Sequence, residues 1–255
     1  GYWSSLIRKA VTVFIVLIAV TNFVSASPQL KNVPDTKGSE ELGKILVQDQ
    51  RGRTKPLFTL SSDIVRKVSR TNRFENYTPM QVFLGFYFDF EHWKDVPLIR
   101  VSSKNVRAIL GIPRKYASFS EIAELGENGY YKLADHVERA YSIAPGKRSK
   151  TDKEIIKVDE RINILYMIYN GSFFRILPLK DGSHNWGNPE EALKKAAGME
   201  DSAFIRDITP MTAAALYSSN TGAVRKIAES LAEYQRRFAG YELPSASKIM
   251  AEMFY

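Results

Sequence analysis

Residues 151–171, TDKEIIKVDERINILYMIYNG, carry the clearest periodic pattern in this chain of 255 residues. Apolar side chains recur in this stretch at intervals of three or four residues, at Ile155, Val158, Ile162, Leu165 and Ile168. Such spacing places the five side chains on one face of an α-helix, which is the pattern of a helix packed against a core. The stretch therefore predicts a helix over residues 152–169.

Start signals for further helices lie on both sides of this stretch. A capping oxygen stands three residues before Glu or Gln, as is typical of helix N-termini, in four pairs: Thr78 with Gln81, Ser118 with Glu121, Thr151 with Glu154, and Asn188 with Glu191. Proline follows two of these caps at once, and Thr209-Pro210 gives a plainer start. With the apolar patterning, these signals predict helices over 79–88, 102–110, 119–125, 130–143, 189–197, 201–218 and 221–238, and another after Pro244.

Extended segments are few. Residues 44–57, KILVQDQRGRTKPL, read as two short strands around 50–52 and predict a hairpin, and residues 97–101 and 172–179 are further extended candidates. Thr59 is placed to cap the helix that follows the hairpin. These patterns predict a fold that is mainly α with a small β hairpin or sheet, and the hydrophobic content of 44% is sufficient for a packed core.

The N-terminal segment predicts export. Arg8 and Lys9 precede residues 10–30, which carry no charge and include AVTVFIVLIAVTNFVSA. Two interpretations remain open: one retained transmembrane helix within 1–27, or a signal peptide cleaved after Ala26. In both, the two basic residues stay inside, and residues after about Ser27 lie on the periplasmic side of the cytoplasmic membrane.

Domain boundaries follow from this segment. Residues 28–43 are polar with Pro and Gly and predict a linker, and residues 44–255 form a mostly helical extracytoplasmic domain. The last helical pattern reaches the final residue without a stop signal. We therefore expect the natural chain to continue into a further membrane span.

Charge and composition narrow the function classes. The chain has a formal charge of +8, but positive and negative residues are interleaved and no nucleic-acid-binding motif is present, so nucleic acid is not an expected partner. Anionic membrane lipid is an expected partner. Absence of cysteine excludes disulfides, thiolate zinc sites and a thiol nucleophile. Hydrolase, zincin and nucleotide motifs are also missing, so no catalytic or metal-ligating residue is assigned.

Histidine offers one candidate site. His92 is expected to pack with Trp93, and His136 lies within a predicted helix. His184, in the loop sequence DGSHNWGNP, stands near Trp186, and the two are candidates for contact with a flat ligand. A hydrolase that uses His184 with a nearby carboxylate is a further alternative.

Five stretches together resemble a known family. In chain order they are ELGKILVQDQRGRTKPLFTLSSDIVRKVSR, TPMQVFLGF, KDVPLIRV, EIIKVDERINILYMIYNGSFFRILPL and LPSASKIMAEMFY, and they extend from Glu41 to Tyr255. They resemble the extracytoplasmic segment of the Bacteroidetes-type cytochrome c biogenesis protein. That family comprises system II cytochrome c synthases, in which a ResB-like half is often fused to a CcsA-like half.

The resemblance implies a role in a haem-delivery and haem-attachment machine. In that family, haem crosses the membrane and is joined by thioether bonds to the CxxCH cysteines of apocytochrome c. The tryptophan-rich motif and external histidine ligands belong to its multi-spanning part, and nothing in this chain matches them. We therefore expect that this segment binds no cofactor, that the full-length protein handles haem, and that the segment acts by scaffolding or client docking.

The resemblance also names partners: apocytochrome c and other membrane parts of the synthase. Arg51, Arg53 and Lys55 on the predicted hairpin are candidates for contact with an anion, which could be a lipid head group, a haem propionate or a carboxylate of a neighbouring part. Pairing of Arg53 and Lys55 with acidic residues of the same domain is the alternative. A secreted or anchored periplasmic binding module, cleaved after Ala26, is the rival function.

Overall fold

A computed structural model describes residues 32–127, 129–196 and 198–254 of the chain. Helices dominate this part, in the order α1 (Thr36–Leu42), α2 (Leu57–Ser69), α3 (Pro79–Phe88), α4 (Phe90–Trp93), α5 (Lys104–Leu110), α6 (Phe119–Ile122), α7 (Ala134–Ser142), α8 (Lys150–Tyr169), α9 (Pro189–Leu193), α10 (Met199–Tyr217), α11 (Thr221–Phe238) and α12 (Ala246–Phe254). A short 3-10 helix, Pro145–Lys147, precedes α8.

The strands of this part form antiparallel pairs of two or three residues. These pairs are β1 (Leu46–Gln48) with β2 (Thr54–Pro56), β3 (Ile99–Arg100) with β4 (Tyr116–Ala117), and β5 (Leu177–Pro178) with β6 (Trp186–Gly187). The hairpin predicted around 50–52 is confirmed, whereas the extended segments predicted at 97–101 and 172–179 contribute only β3 and β5. The backbone N–H groups of Phe173, Phe174 and Ile176 instead donate to the carbonyls of Met167, Gly171 and Phe174.

The described residues contain no helix with the length and apolar character needed to cross a bilayer. The predicted anchor, 1–27, and the alternative cleavage site after Ala26 both lie outside these residues.

Helix α8 is the centre of the helical packing. It contacts α2, α3, α5, α6 and α7, and the five apolar side chains predicted to share a face are all buried. Its start differs from the prediction: Ser149, and not Thr151, is the N-cap, because the Ser149 hydroxyl accepts from the Asp152 backbone N–H and the Asp152 carboxylate accepts from the Ser149 N–H. Glu154 is engaged elsewhere, since it accepts from the backbone N–H of Ser102 at 2.6 Å.

The other capping predictions have mixed outcomes. Capping boxes form at Thr78, Ser118 and Asn188, as predicted. Thr59 lies inside α2, which begins directly after Pro56 at the end of β2, and Pro210 lies inside α10 rather than at its start. In both cases the helix begins N-terminal to the predicted start signal, at Leu57 for α2 and at Met199 for α10.

Residues 36–42, within the predicted linker, form helix α1. Leu42 is fully buried, and the helix packs against α11. The side chain of Asp35 caps it by accepting from the Gly38 N–H at 2.7 Å. A polar composition with Pro and Gly thus marked a helix start rather than a linker in this half of residues 28–43.

An aromatic core, which we define as Gly85, Phe86, Trp93 and Tyr77, joins α3 to α4. Trp93 is fully buried, and its ring centroid lies 5.8 Å from that of Phe86 and 5.6 Å from that of Tyr77. Glycine is required at position 85, because a Cβ there would stand 2.1 Å from the indole. The close approach lets the indole lie directly on the helix backbone.

Candidate functional site

The turn of the first hairpin is held by one carboxylate. Asp49 Oδ1 accepts from the backbone N–H groups of Arg51 and Arg53, at 2.9 and 3.1 Å. Gly52 adopts a φ of +81°, in the left-handed region that favours glycine. The hairpin therefore presents its basic side chains from a fixed backbone.

Two of the three candidate cations on this hairpin pair within the same domain. Arg53 Nη2 lies 2.8 Å from Glu252 Oε1 of α12, and Lys55 Nζ lies 3.2 Å from Asp63 Oδ2 of α2. The alternative of pairing inside the domain is thus confirmed for both. Arg51 is exposed, and its side chain makes no ion pair or hydrogen bond with any residue that the structure describes.

Trp186 is not available to a ligand. It lies in β6 with only 1% of its surface exposed, packed with Leu46 and Ala239. The expectation that it would contact a flat ligand is wrong, because the short strand directs the indole into an apolar cluster. Sequence alone placed it in an exposed loop.

His184 remains at the surface of the loop before β6. Its φ is +56°, and its ring lies 6.1 Å from that of Tyr241, centroid to centroid. In the described part of the chain no carboxylate forms a hydrogen bond with this imidazole. The hydrolase alternative therefore has no acid–base pair in the geometry around His184.

A buried amide connects the hairpin to this loop. Gln48 Oε1 accepts from the Trp186 backbone N–H at 2.9 Å, and Gln48 Nε2 donates to the His184 carbonyl at 3.2 Å. Arg175 adds three bonds: Nη2 donates to Gln48 Oε1 at 3.0 Å, Nε to the Trp186 carbonyl at 2.7 Å, and Nη1 to the Asp49 carbonyl at 3.3 Å. The structure thus brings together the two segments that carry the candidate residues.

A second buried amide attaches α11 to the same place. Gln235 accepts from the Leu46 N–H at 3.2 Å and donates to the Leu46 carbonyl at 2.8 Å, and the same Nε2 donates to the Ile176 carbonyl at 2.8 Å. We call Gln48, Arg175 and Gln235 the polar seam. Sequence reasoning missed all three, although a glutamine in the otherwise apolar run ILVQ, and another on the apolar face of an amphipathic helix, were available signals.

The candidate site consists of exposed side chains held in fixed positions on the surface. Among residues 32–254, as far as they are described, no group of three or more His, Asp or Glu side chains is placed to hold a metal ion. The polar seam fixes the backbone around the exposed Arg51 and His184, so these two side chains project from rigidly connected elements. Such a surface suits contact with an anionic or polar partner.

Comparison with known proteins gives one informative relative. No protein-family model matches the chain. Protein NrfI of Wolinella succinogenes is 33% identical over 225 residues, which are 86% of this chain and 25% of NrfI. The chain thus spans about a quarter of the length of the curated relative that it matches.

Proposed function

We propose that this chain is an extracytoplasmic domain of a membrane-bound system II cytochrome c biogenesis protein of the ResB/CcsA fusion type. It supports haem delivery and attachment to apocytochrome c by scaffolding or client docking. The observation that carries the proposal is the 33% identity to NrfI, sustained over 225 residues, which supports a relation to proteins of cytochrome c biogenesis. Haem itself is handled by other parts of the full-length protein.

A scaffolding role is supported by the polar seam. Gln235 and Leu46 are 189 residues apart in the chain, yet a reciprocal pair of hydrogen bonds joins them. Buried amides with satisfied partners fix one arrangement of the elements that they connect. The absence of cysteine is also suitable for this role, because the domain cannot form mixed disulfides with a CxxCH client.

A docking role is supported by Arg51 at the hairpin turn, whose side chain pairs with no residue in the described part of the chain. Arg51 lies on a turn whose backbone is held by Asp49, so little conformational freedom of the backbone is lost when a partner binds. A guanidinium recognises a carboxylate through two parallel hydrogen bonds. We therefore assign Arg51 to contact with a carboxylate of the client or of a neighbouring part of the synthase.

The test is the double variant Arg51→Ala with Arg53→Ala in the gene that encodes the chain. We expect less mature c-type cytochrome, measured by haem staining of membranes, with a nearly unchanged thermal midpoint, since exposed pairs contribute about 0–1 kcal/mol. Arg206→Ala is the matched control, because Arg206 is exposed and, among the residues that the structure describes, pairs only with its neighbour Asp207, on α10. It should leave maturation at the wild-type level.

Glu252→Gln separates docking from folding. This change removes the partner of Arg53 but keeps both hairpin cations. Maturation should remain at the wild-type level in this variant. If it falls as far as in the double variant, or if the double variant loses cytochrome only in step with its stability, the hairpin is structural and the docking role is rejected.

The membrane placement has its own test. A reporter that is active only outside the cytoplasm should be active when fused after Asp35 and inactive when fused before Arg8. The reverse pattern would contradict the proposed localisation. N-terminal sequencing of the native product separates a retained anchor from cleavage after Ala26.

A further inference from the structure

A basic cavity lies between the C-terminal end of α2 and helix α8, apart from the hairpin site. Its volume is about 350 Å³, and its charged lining consists of Lys67, Arg70, Lys157, Arg161, Glu154 and Glu160. Four cations therefore face two carboxylates. The lining carries an excess of two positive charges.

Arg161 is the buried member of this lining. Its side chain is 8% exposed, and its guanidinium donates to the Arg100 carbonyl. The carboxylate that pairs with it, on Glu154, stands 3.7 Å away and receives a much shorter hydrogen bond from the Ser102 backbone. A buried cation needs fuller compensation than one distant carboxylate that is shared with a backbone donor.

The charge around Arg161 adds to this imbalance. Burial lowers the pKa of Arg161, Glu154 and Glu160 oppose that effect, and repulsion from Arg70 and Arg100 reinforces it. In the described part of the chain, the side chains of Arg70 and Lys157 make no ion pair or hydrogen bond that would neutralise them. Lys67 pairs with Glu160, and their Nζ and Oε2 atoms lie 3.7 Å apart.

Arg70 also occupies an unfavourable backbone position. It is the residue that ends α2, with a φ of +63°, a left-handed conformation that glycine adopts at lower cost at this place in a helix. A cation near a helix C-terminus is favourable, and that accounts for one positive charge. It does not account for the gathering of Arg70 and Lys157 around the buried Arg161.

We propose that this cavity binds a small dianion that carries carboxylate or phosphate groups, with Arg70, Lys157 and Arg161 as its ligands. Two negative charges match the excess of the lining, and the planar guanidinium groups fit both kinds of oxyanion. The site is independent of the function proposed above. Its occupant is a soluble small molecule.

The test uses the purified full chain with inorganic phosphate and, separately, succinate as probes. Binding is measured by calorimetry, and the thermal midpoint is followed at constant ionic strength, held with sodium chloride. We expect saturable binding of at least one probe and a rise of the midpoint with its concentration. Sodium chloride alone should not reproduce that rise.

Arg70→Gly is the informative variant. It removes the guanidinium and places at this φ the residue best suited to it, so the midpoint without ligand should stay the same or increase, while the dissociation constant for the probe rises at least tenfold. Lys157→Gln should weaken binding in the same direction. Arg206→Gln, which removes an exposed arginine on α10, should bind as the wild type does.

Arg161 is left intact in this design, because its removal would leave Glu154 without a cation. The proposal is overturned if neither probe binds saturably. It is equally overturned if Arg70→Gly and Lys157→Gln bind as tightly as Arg206→Gln, or if sodium chloride stabilises the chain as much as the probes do.

Discussion

Trp93 and Trp186 are both almost completely buried, and their surroundings differ. Trp93 belongs to the aromatic core, where it lies against the backbone of Gly85 and the rings of Phe86 and Tyr77. Trp186 packs in a smaller apolar cluster with Leu46 and Ala239, and its own backbone is bonded to the polar seam. One indole is held by packing, and the other also by hydrogen bonds to its main chain.

The difference follows from the local secondary structure. In the aromatic core, the ten-residue helix α3 pairs many of its backbone groups within the helix, and α4 pairs with the residues that flank it, so apolar side chains can fill the space between them. Around Trp186 the strands are only two or three residues long and leave backbone groups without a strand partner. Side chains of Gln48, Arg175 and Gln235 supply those partners, so buried polar residues in this region are a condition of folding.

The largest expected effect is at the aromatic core. Trp93→Ala should lower the free energy of unfolding by about 3–5 kcal/mol, because it removes a large buried side chain and leaves a cavity against Gly85. Urea denaturation followed by circular dichroism measures the loss. Met211→Ala is the control, since Met211 is an exposed apolar residue with 55% of its surface accessible. Equal effects of the two substitutions would contradict the assignment of the core.

A second prediction concerns alkaline pH. Burial raises the pKa of Tyr87, whose ring lies 4.3 Å from that of Phe174, from 10.0 to about 12. The folded protein then keeps a proton that the unfolded chain releases. The contribution of Tyr87 to the free energy of unfolding is therefore complete below pH 10 and is lost as the pH rises to about 12. The loss is about 2–3 kcal/mol. Denaturation curves at pH 9, 10, 11 and 12 should show it.

Tyr87→Phe is the matched variant for this pH dependence. It keeps the ring and removes the ionisable hydroxyl, so stability should fall less steeply between pH 10 and 12 than in the wild type. Desolvation also raises the pKa values of the half-buried Tyr131 and the buried Tyr234, and these two groups leave a residual slope. An unchanged slope would show that Tyr87 titrates normally in the folded chain.

The polar seam gives an intermediate effect. Gln235→Leu should cost about 1–3 kcal/mol, because it leaves the N–H and carbonyl of Leu46 buried without partners. Amide hydrogen exchange at Leu46 should become faster, which distinguishes a lost hydrogen bond from a general packing defect. Unchanged protection at Leu46, together with unchanged stability, would show that the seam is dispensable.

The smallest effect is expected at the exposed ion pair between the first hairpin and α12. Arg53→Gln removes the ion pair with Glu252, in which the Arg53 side chain is 67% exposed, and should cost less than about 1 kcal/mol. A double-mutant cycle with Glu252→Gln measures the coupling energy of the pair directly. A coupling energy comparable to the Gln235→Leu loss would place this pair among the main supports of the hairpin.

The sequence predicts features that depend on residues close together in the chain, and it does not predict features that depend on distant residues. Helix α8 and the capping boxes at Thr78, Ser118 and Asn188 rest on residues within one or two turns of each other, and local spacing reveals them. The hairpin turn is equally local. The seam is not, because Gln235 and Leu46 are far apart in the chain and no short pattern links them.

The candidate site was predicted only in part, for the same reason. The sequence shows that Arg53 and Lys55 are positively charged. Their acidic partners lie on α12 and α2, and only the folded chain identifies these partners. Trp186 looked exposed because it follows a polar loop sequence. Its burial depends on Leu46 and Ala239, which no signal near position 186 indicates.

The short strand pairs have a consequence for behaviour at high protein concentration. In the part of the chain that is described, each sheet has two strands, so every strand is an edge, yet none is longer than three residues. An edge of this length offers few free N–H and carbonyl groups to another molecule. Such edges are poor templates for intermolecular β-structure, so we expect concentrated samples that aggregate to do so through exposed apolar helix surface rather than through fibrous sheet.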